Sequence, residues 1–305
     1  MLKEKTRVWT VRDLMKFAIS HLQRRGFEDA RLNVELLLAH ALGCQRITLY
    51  ANFDKPVSAE ELKKFRTLYE RRLNREPVQY IIGSTSFMGL SFLVDPRVLI
   101  PRPETETLVE QVMLQCGNRD NRKPIPIVEI GAGSGNIAVS LAKYVRNATV
   151  TSIDNSPGAL EVARHNASTH GVLEKITFEQ MDAFEPVDQL LRRRFDILVS
   201  NPPYIPKDEW DQLQMEVRRF EPTGALTDGN DGFEFYRRIL ELAPYLLVDH
   251  GMVLLEVGDG QAEQVRQMMI RAGFARCTVV ADLQNVPRIV SGACRSRSRN
   301  LVISN

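Results

Sequence analysis

Apolar positions in the first quarter of the chain recur at helical spacing. Thr10 stands before a stripe of Val11, Leu14, Met15, Ala18 and Leu22 that closes at Gly26, which predicts a capped helix. A second apolar run extends from Leu32 through Val34, Leu37 and Leu38 to Ala41 and closes at Gly43. The third opens with Ser58-x-x-Glu61, the spacing at which each side chain satisfies the other's free backbone N–H. It would bury Leu62, Phe65, Leu68, Tyr69 and Leu73, and Pro77 forbids its continuation. These patterns predict a small helical domain over residues 1–77. From 78 to 100 the texture changes to short β-prone pieces broken by Gly83 and Gly89, which predicts a β-hairpin linker.

Residues 101–305 form the remainder. Two prolines in Ile100–Glu106 (IPRPETE) precede a helix through Leu108, Val109, Val112 and Met113. After Pro126, apolar strand-like runs alternate with helical ones, the signature of an α/β domain with a mostly parallel sheet. The strands expected are Ile125–Ile130, Ala148–Ile153, Ile176–Glu179, Phe195–Ser200, Met252–Val257, Cys277–Val280 and Asn300–Ile303.

Composition narrows the function classes. The 40 Lys+Arg and 38 Asp+Glu leave a net charge of +2, too balanced for affinity resting on general phosphate attraction. The four cysteines are far apart and make no CxxC pair, so neither a disulfide framework nor a zinc knuckle is expected. The most apolar window, Val34–Gly43, is far short of the roughly 20 residues that span a bilayer. The five histidines are scattered, with His165 and His170 at the wrong spacing for a helical metal pair. Lys63–Arg75 is expected to be a solvated basic helix face, and Arg295–Arg299 (RSRSR) a solvated loop.

Candidate chemistry begins at Glu129, followed by the turn Gly131, Ala132, Gly133, Ser134 and Gly135. Glycines after a strand let the backbone approach a ligand, and the next helix N-terminus favours polar groups. The sixth position of a dinucleotide fingerprint would be glycine, but here it is Asn136. The next strand ends in Asp154, where a carboxylate can accept both ribose hydroxyls of an adenosine ligand. Asp182 and Ala183 follow the third strand.

The most informative tetrapeptide is Asn201-Pro202-Pro203-Tyr204, at the end of the fourth strand. Its prolines fix φ and donate no N–H, so the carbonyls are held rigidly. Asn201 supplies an acceptor oxygen and Tyr204 an aromatic face. A planar NH₂ can donate one hydrogen to the Asn201 oxygen and the other to the Pro202 carbonyl.

The glycine turn resembles motif I of S-adenosylmethionine-dependent methyltransferases. Together with IPRPETE, Asn201–Tyr204, Glu221–Leu226 (EPTGAL), the PVQYIIG run and the helical N-terminal domain, it makes the chain similar to the HemK/PrmC family. The resemblance implies a seven-stranded, Rossmann-like class I methyltransferase domain behind a small helical bundle and a hairpin. It also implies methyl transfer from S-adenosyl-L-methionine to the side-chain N5 of the glutamine in the Gly-Gly-Gln motif of class-1 peptide chain release factors. By this resemblance Gly131, Ala132, Gly133, Ser134, Gly135, Asp154, Asp182, Ala183 and Asn201 hold the cofactor. Asn201, Pro202, Pro203 and Tyr204 bind the glutamine and carry catalysis. No metal is implied, S-adenosyl-L-homocysteine is the product, and a cytoplasmic monomer with neither a membrane nor a stable nucleic-acid partner is expected. Ala183 stands where many members carry a large aromatic residue, which leaves Phe184 to pack on the adenine. Two alternatives stay open: N5-glutamine methylation of a ribosomal protein, whose enzymes lack the PRPETE pattern, and adenine N6-methylation of nucleic acid.

Overall fold

The computed structural model describes residues 8–117, 123–186, 190 and 192–295. Contacts divide the chain into two units. One comprises the chain up to Ser84 together with Gln214–Phe220, and the other comprises Thr85–Leu213 and everything from Glu221 onward.

The smaller unit is helical: α1 (Val11–Arg24), α2 (Ala30–Leu42), α3 (Arg46–Ala51), α4 (Ala59–Leu73) and α5 (Val78–Ile82). Local chemistry sets their ends. The Thr10 hydroxyl accepts from the Asp13 amide at 3.2 Å, and Ser58 and Glu61 form a reciprocal capping box. Gly43 ends α2 in the left-handed region, φ 62°, where a side chain would be strained. Val11, Leu22, Val34, Leu37, Leu38 and Phe65 form the buried centre. Residues 78–82, expected to open the hairpin, instead form the short helix α5, which Gly83 terminates at φ 81°.

The larger unit begins within β1 (Ser84–Phe87), which forms with β2 (Leu90–Leu93) a hairpin whose turn residues, Met88 and Gly89, both have positive φ. That is the backbone twist a two-residue hairpin favours. Phe87 and Phe92 lie edge to face in the unit's core. There follow α6 (Glu104–Gly117), β3 (Ile125–Ile130), α7 (Asn136–Tyr144), β4 (Ala148–Asp154), α8 (Pro157–Thr169), β5 (Ile176–Gln180) and β6 (Phe195–Ser200). Helix α9 (Met215–Phe220) belongs to the smaller unit. The chain then continues through α10 (Glu234–Leu246), β7 (Leu247–Glu256), α11 (Ala262–Arg271), β8 (Ala275–Ala281) and β9 (Pro287–Ala293).

Among the described residues the sheet has seven strands in the order β5-β4-β3-β6-β7-β9-β8, with β9 antiparallel to both its neighbours. Alternation along β3 shows its two-sided burial. Ile125 and Ile127 face the core that includes α6, α7 and α8, whereas Val128 and Ile130 face the one that includes α10 and α11. The strand expected at Asn300–Ile303 lies outside the described residues. Among the described residues the antiparallel strand next to β7 is Pro287–Ala293, which is not among the expected strands and opens on a proline.

Helix α9 returns to the smaller unit because of charge. Arg72, expected on a solvated face, is buried: its Nε donates to Asn33 Oδ1 at 2.5 Å and its Nη2 to Glu216 Oε1 at 2.9 Å. Arg75 adds a 3.3 Å bond to the same carboxylate, and both guanidinium groups stack over the Phe27 ring. Burial pushes the Arg72 pKa down, and Glu216 opposes that shift. Glu216→Ala is expected to destabilise the protein by about 3 kcal/mol, because it leaves a buried guanidinium without its counter-charge. Urea unfolding followed in parallel with the wild type checks this, and a loss below about 0.5 kcal/mol would assign the pair no structural weight.

Candidate functional site

The sheet order reverses between β3 and β6, the place where open α/β sheets form a crevice. Ile127 pairs with Ile197 and Glu129 with Val199, so the two strands end at the same level. There the Ser200 hydroxyl donates to the Ile130 carbonyl at 2.6 Å. The glycine turn after β3 and the Asn-Pro-Pro-Tyr segment after β6 therefore leave the sheet side by side.

The turn closes on itself and on β4. Gly131 and Ala132 donate their amides to the Ile153 carbonyl at 2.8 and 3.1 Å. Gly131, Gly133 and Gly135 all have positive φ. At Gly135 a side chain is excluded twice, since a Cβ would stand 3.0 Å from that of Ala163 on α8. Buried Asn166, also on α8, donates to the Ser134 carbonyl at 2.9 Å and pairs with both the amide and the carbonyl of Leu93. It ties the hairpin to the turn, a role its place within an ordinary helical run did not reveal.

Asp154 accepts the Gly133 amide at 3.0 Å and the Ser156 amide at 2.9 Å. Two acceptor positions of the carboxylate are left over. A cleft of about 210 Å³ brings it together with Gly131, Ala132, Gly133, Ser134, Asp182, Ala183, Asn201 and Pro203. Gly135, Pro202 and Tyr204 do not line that cleft. Pro202 is buried, and the Tyr204 carbonyl accepts from Gln261 Nε2 at 2.9 Å. Asp182 caps its own turn through the Phe184 amide at 2.9 Å. Phe184 is half exposed and stands edge-on to Phe235 at 4.9 Å. The aromatic residue lining the cleft beside Ala183 is thus Phe235 from α10, 52 positions along the chain from Ala183, a separation no local pattern spans.

Two motif residues without an assigned role in the sequence become structural here. Glu221, at the start of EPTGAL, is buried and accepts from the Ile100 amide at 3.1 Å and from Arg102 at 2.6 Å. The IPRPETE and EPTGAL segments are therefore two sides of one clamp. Thr105, also buried, accepts from Asn201 Nδ2 at 3.1 Å.

Buried acids surround the turn. Burial raises the Glu129 pKa to about 8; the Ser152 hydroxyl, hydrogen-bonded to its carboxylate, pulls it down, and the Asp154 charge pushes it up. Its Oε1 has no hydrogen-bond partner. Burial likewise raises Glu256, to about 7, and Tyr204, to about 12. Among the described residues no group of His, Cys, Asp and Glu could hold a metal ion.

The Glu129 shift carries a pH dependence. Folding favours the proton on this carboxyl, so its contribution is fully present below about pH 4.5 and is lost as pH rises through about 8. Glu129→Gln, measured without cofactor, is expected to unfold near the wild-type temperature at pH about 5 and several degrees above it at pH about 8.5. A gap that does not widen with pH would show that the carboxylate carries no burial penalty.

Comparison with known proteins bears on the same segments. A family profile described as the PrmC N-terminal domain matches residues 13–83, and one described as a methyltransferase domain matches residues 127–224. The release factor glutamine methyltransferase of Geobacter sulfurreducens is 44% identical over 95% of this chain and 99% of its own. That of Chlorobaculum tepidum is 43% identical over 93% and 97%. A methyltransferase from Pyrococcus furiosus shares the fold at 18% identity, with a TM-score of 0.51 over 77% of this chain and 98% of that one. Identity at this level over nearly the whole of both chains places the protein in the release factor glutamine methyltransferase family.

Proposed function

We propose that the protein transfers a methyl group from S-adenosyl-L-methionine to the side-chain nitrogen of the glutamine in the Gly-Gly-Gln loop of class-1 release factors. The observation carrying this reading is one cleft that gathers the glycine turn, Asp154 and Asn201 at the reversal of strand order. The residues fit the cofactor. Gly131 and Gly133 have no side chain to fill the turn, and Asp154 keeps two acceptor positions for ribose hydroxyls. Ala183 and Phe235 offer an apolar wall for a planar base. When bound, S-adenosylmethionine supplies a methyl group made electrophilic by its sulfonium.

An amide nitrogen is a poor nucleophile because its lone pair is shared with the carbonyl. In this reading Asn201 and the Pro202 carbonyl each accept one hydrogen of the glutamine NH₂ and fix the nitrogen in line with the methyl. The same acceptors favour the positive charge that grows on nitrogen as the new N–C bond forms and the S–C bond breaks. The proton then leaves to water, so no base need touch the nitrogen. The products are N5-methylglutamine and S-adenosyl-L-homocysteine. The helical unit grips a second surface of the release factor and supplies specificity that one glutamine cannot. We assign the enzyme to the cytoplasm as a monomer; among the described residues no helix is long and apolar enough to cross a membrane.

Incubation with S-adenosylmethionine and unmodified release factor, followed by peptide mass spectrometry, is expected to add one methylene's mass to the Gly-Gly-Gln glutamine. Methyl transfer found only on a ribosomal protein or a nucleic acid would overturn the substrate assignment. Asn201→Ala is expected to lower turnover by a factor of about 100 or more and to leave cofactor affinity within about threefold. Near-normal turnover in that variant would sink the mechanism.

A further inference from the structure

The Asn201 side chain has two chemically opposite ends, and only one of them suits an incoming NH₂. If its own NH₂ faced the substrate, two donors would meet. Something must therefore fix which end points outward, and neither of the two prolines that follow it has an N–H to do so.

We propose that Thr105 and Glu256 orient Asn201, holding its amide nitrogen inside the protein so that its oxygen faces the substrate nitrogen. This rests on the function proposed above. Three observations carry it. First, Asn201 Nδ2 donates to Thr105 Oγ1 at 3.1 Å, and Thr105 is almost wholly buried at the first turn of α6. Second, the register that pairs Ser200 with Leu255 makes Asn201 and Glu256 neighbours at the ends of β6 and β7. Glu256 is 2% exposed, and the polar side chains of Thr105 and Asn201 act on its carboxyl against the upward push of burial. Third, one oxygen of that buried carboxylate, Oε2, has no hydrogen-bond partner. A buried carboxylate so poorly satisfied is costly, which favours a functional reason for its presence.

The direction of the chain of bonds follows from donor counting. Above about pH 7, where Glu256 ionises, its carboxylate only accepts, and a threonine hydroxyl has a single hydrogen to give. With that hydrogen directed to Glu256, the Thr105 oxygen can only accept, and the end of Asn201 facing it must be the NH₂. Asn201 then has its oxygen left for a ligand. Beyond Glu256 lies the charge of Arg288, itself bonded to Asp282 at 3.3 Å. Asp282 in turn accepts the Gln284 and Val286 amides at 2.8 and 3.0 Å, which anchors the far end of the network in backbone. The proposal gives Thr105 of the IPRPETE segment a positioning role that the motif itself does not state.

The test follows the Asn201 side chain directly and turnover separately. Proteins labelled with ¹⁵N-asparagine are compared by nuclear magnetic resonance, the Asn201 side-chain NH₂ signal being identified by its absence in Asn201→Ala. The variants are Thr105→Val, which keeps the shape and loses the hydroxyl, Thr105→Ser, which restores it, and Glu256→Gln, which puts a donor where only acceptors stood. Thr105→Val is expected to lose the slow hydrogen exchange of that signal. It should also lower kcat about tenfold or more while KM for the release factor and cofactor affinity move less than about threefold. Thr105→Ser is expected to recover both, with unfolding temperatures confirming that all variants fold. Glu256→Gln is expected to speed the exchange of the same signal.

An unchanged Asn201 signal in Thr105→Val, or a Thr105→Ser variant as impaired as Thr105→Val, would overturn the proposal. An unchanged signal in Glu256→Gln would remove Glu256 from it. Loss of the ordered signal with turnover retained would uphold the orientation and overturn instead the role given to Asn201 in catalysis.

Discussion

The site depends on two adjacent strands ending at the same level where the sheet order reverses. Because β4 and β5 lie to one side of β3 while β6 and β7 lie to the other, the loops after β3 and β6 lead away from each other and leave a crevice between them. The Ser200 hydroxyl bonded to the Ile130 carbonyl locks the last residues of both strands together. With those ends fixed, the glycine turn and the Asn-Pro-Pro-Tyr segment have only short distances over which to err. One is further held by Asn166 and the Ile153 carbonyl, the other by Thr105 and Gln261. Precision at the cleft is therefore assembled from buried side chains, of which Asn166 and Gln261 lie outside its lining and Thr105 within it.

The cost of that precision is visible in the acids. Glu129, Glu221 and Glu256 are all buried near the cleft, and their environments differ. Glu221 has Arg102 and a backbone amide, the arrangement that makes a buried carboxylate tolerable. Glu129 and Glu256 each keep an oxygen without a partner, and both have raised pKa values. A protein selected for stability alone would replace such groups by apolar ones. Their position beside the glycine turn and beside Asn201 ties the penalty to ligand binding and orientation, the usual place for a local breach of folding rules.

Much of this was legible in the sequence, and the division follows the range of the interactions. Caps at Thr10 and Ser58, the glycine turn and the rigidity of Pro202-Pro203 are all consequences of residues within a few positions of one another. The parallel strands announced themselves by length and apolarity, because both of their faces are covered. What stayed hidden depends on contacts across long stretches of chain. Arg72 read as one more solvated arginine until Glu216 came to meet it. Pro287–Ala293 is absent from the expected strands because its identity as a strand rests on pairing with β7 and β8. Phe235 could not be connected with Ala183 by any periodicity, and Phe184, its sequence neighbour, does not line the cleft.

The same distinction explains the form of the motifs themselves. IPRPETE and EPTGAL look like two unrelated signatures in the chain, yet each supplies half of one structure: Ile100 and Arg102 from the first close on Glu221 from the second. Within the first segment the roles divide further. Arg102 faces the clamp, while Thr105, three positions on and at the start of a helix, faces Asn201. The turn at Pro103 and the helix start at Glu104 let two side chains so close in sequence serve different partners. A substitution that kept the charge of this segment and moved its helix start by one residue would leave the clamp formed and send Thr105 to another face of the helix. The segment is constrained by geometry as much as by composition, and that constraint is imposed by Asn201 at the end of a distant strand.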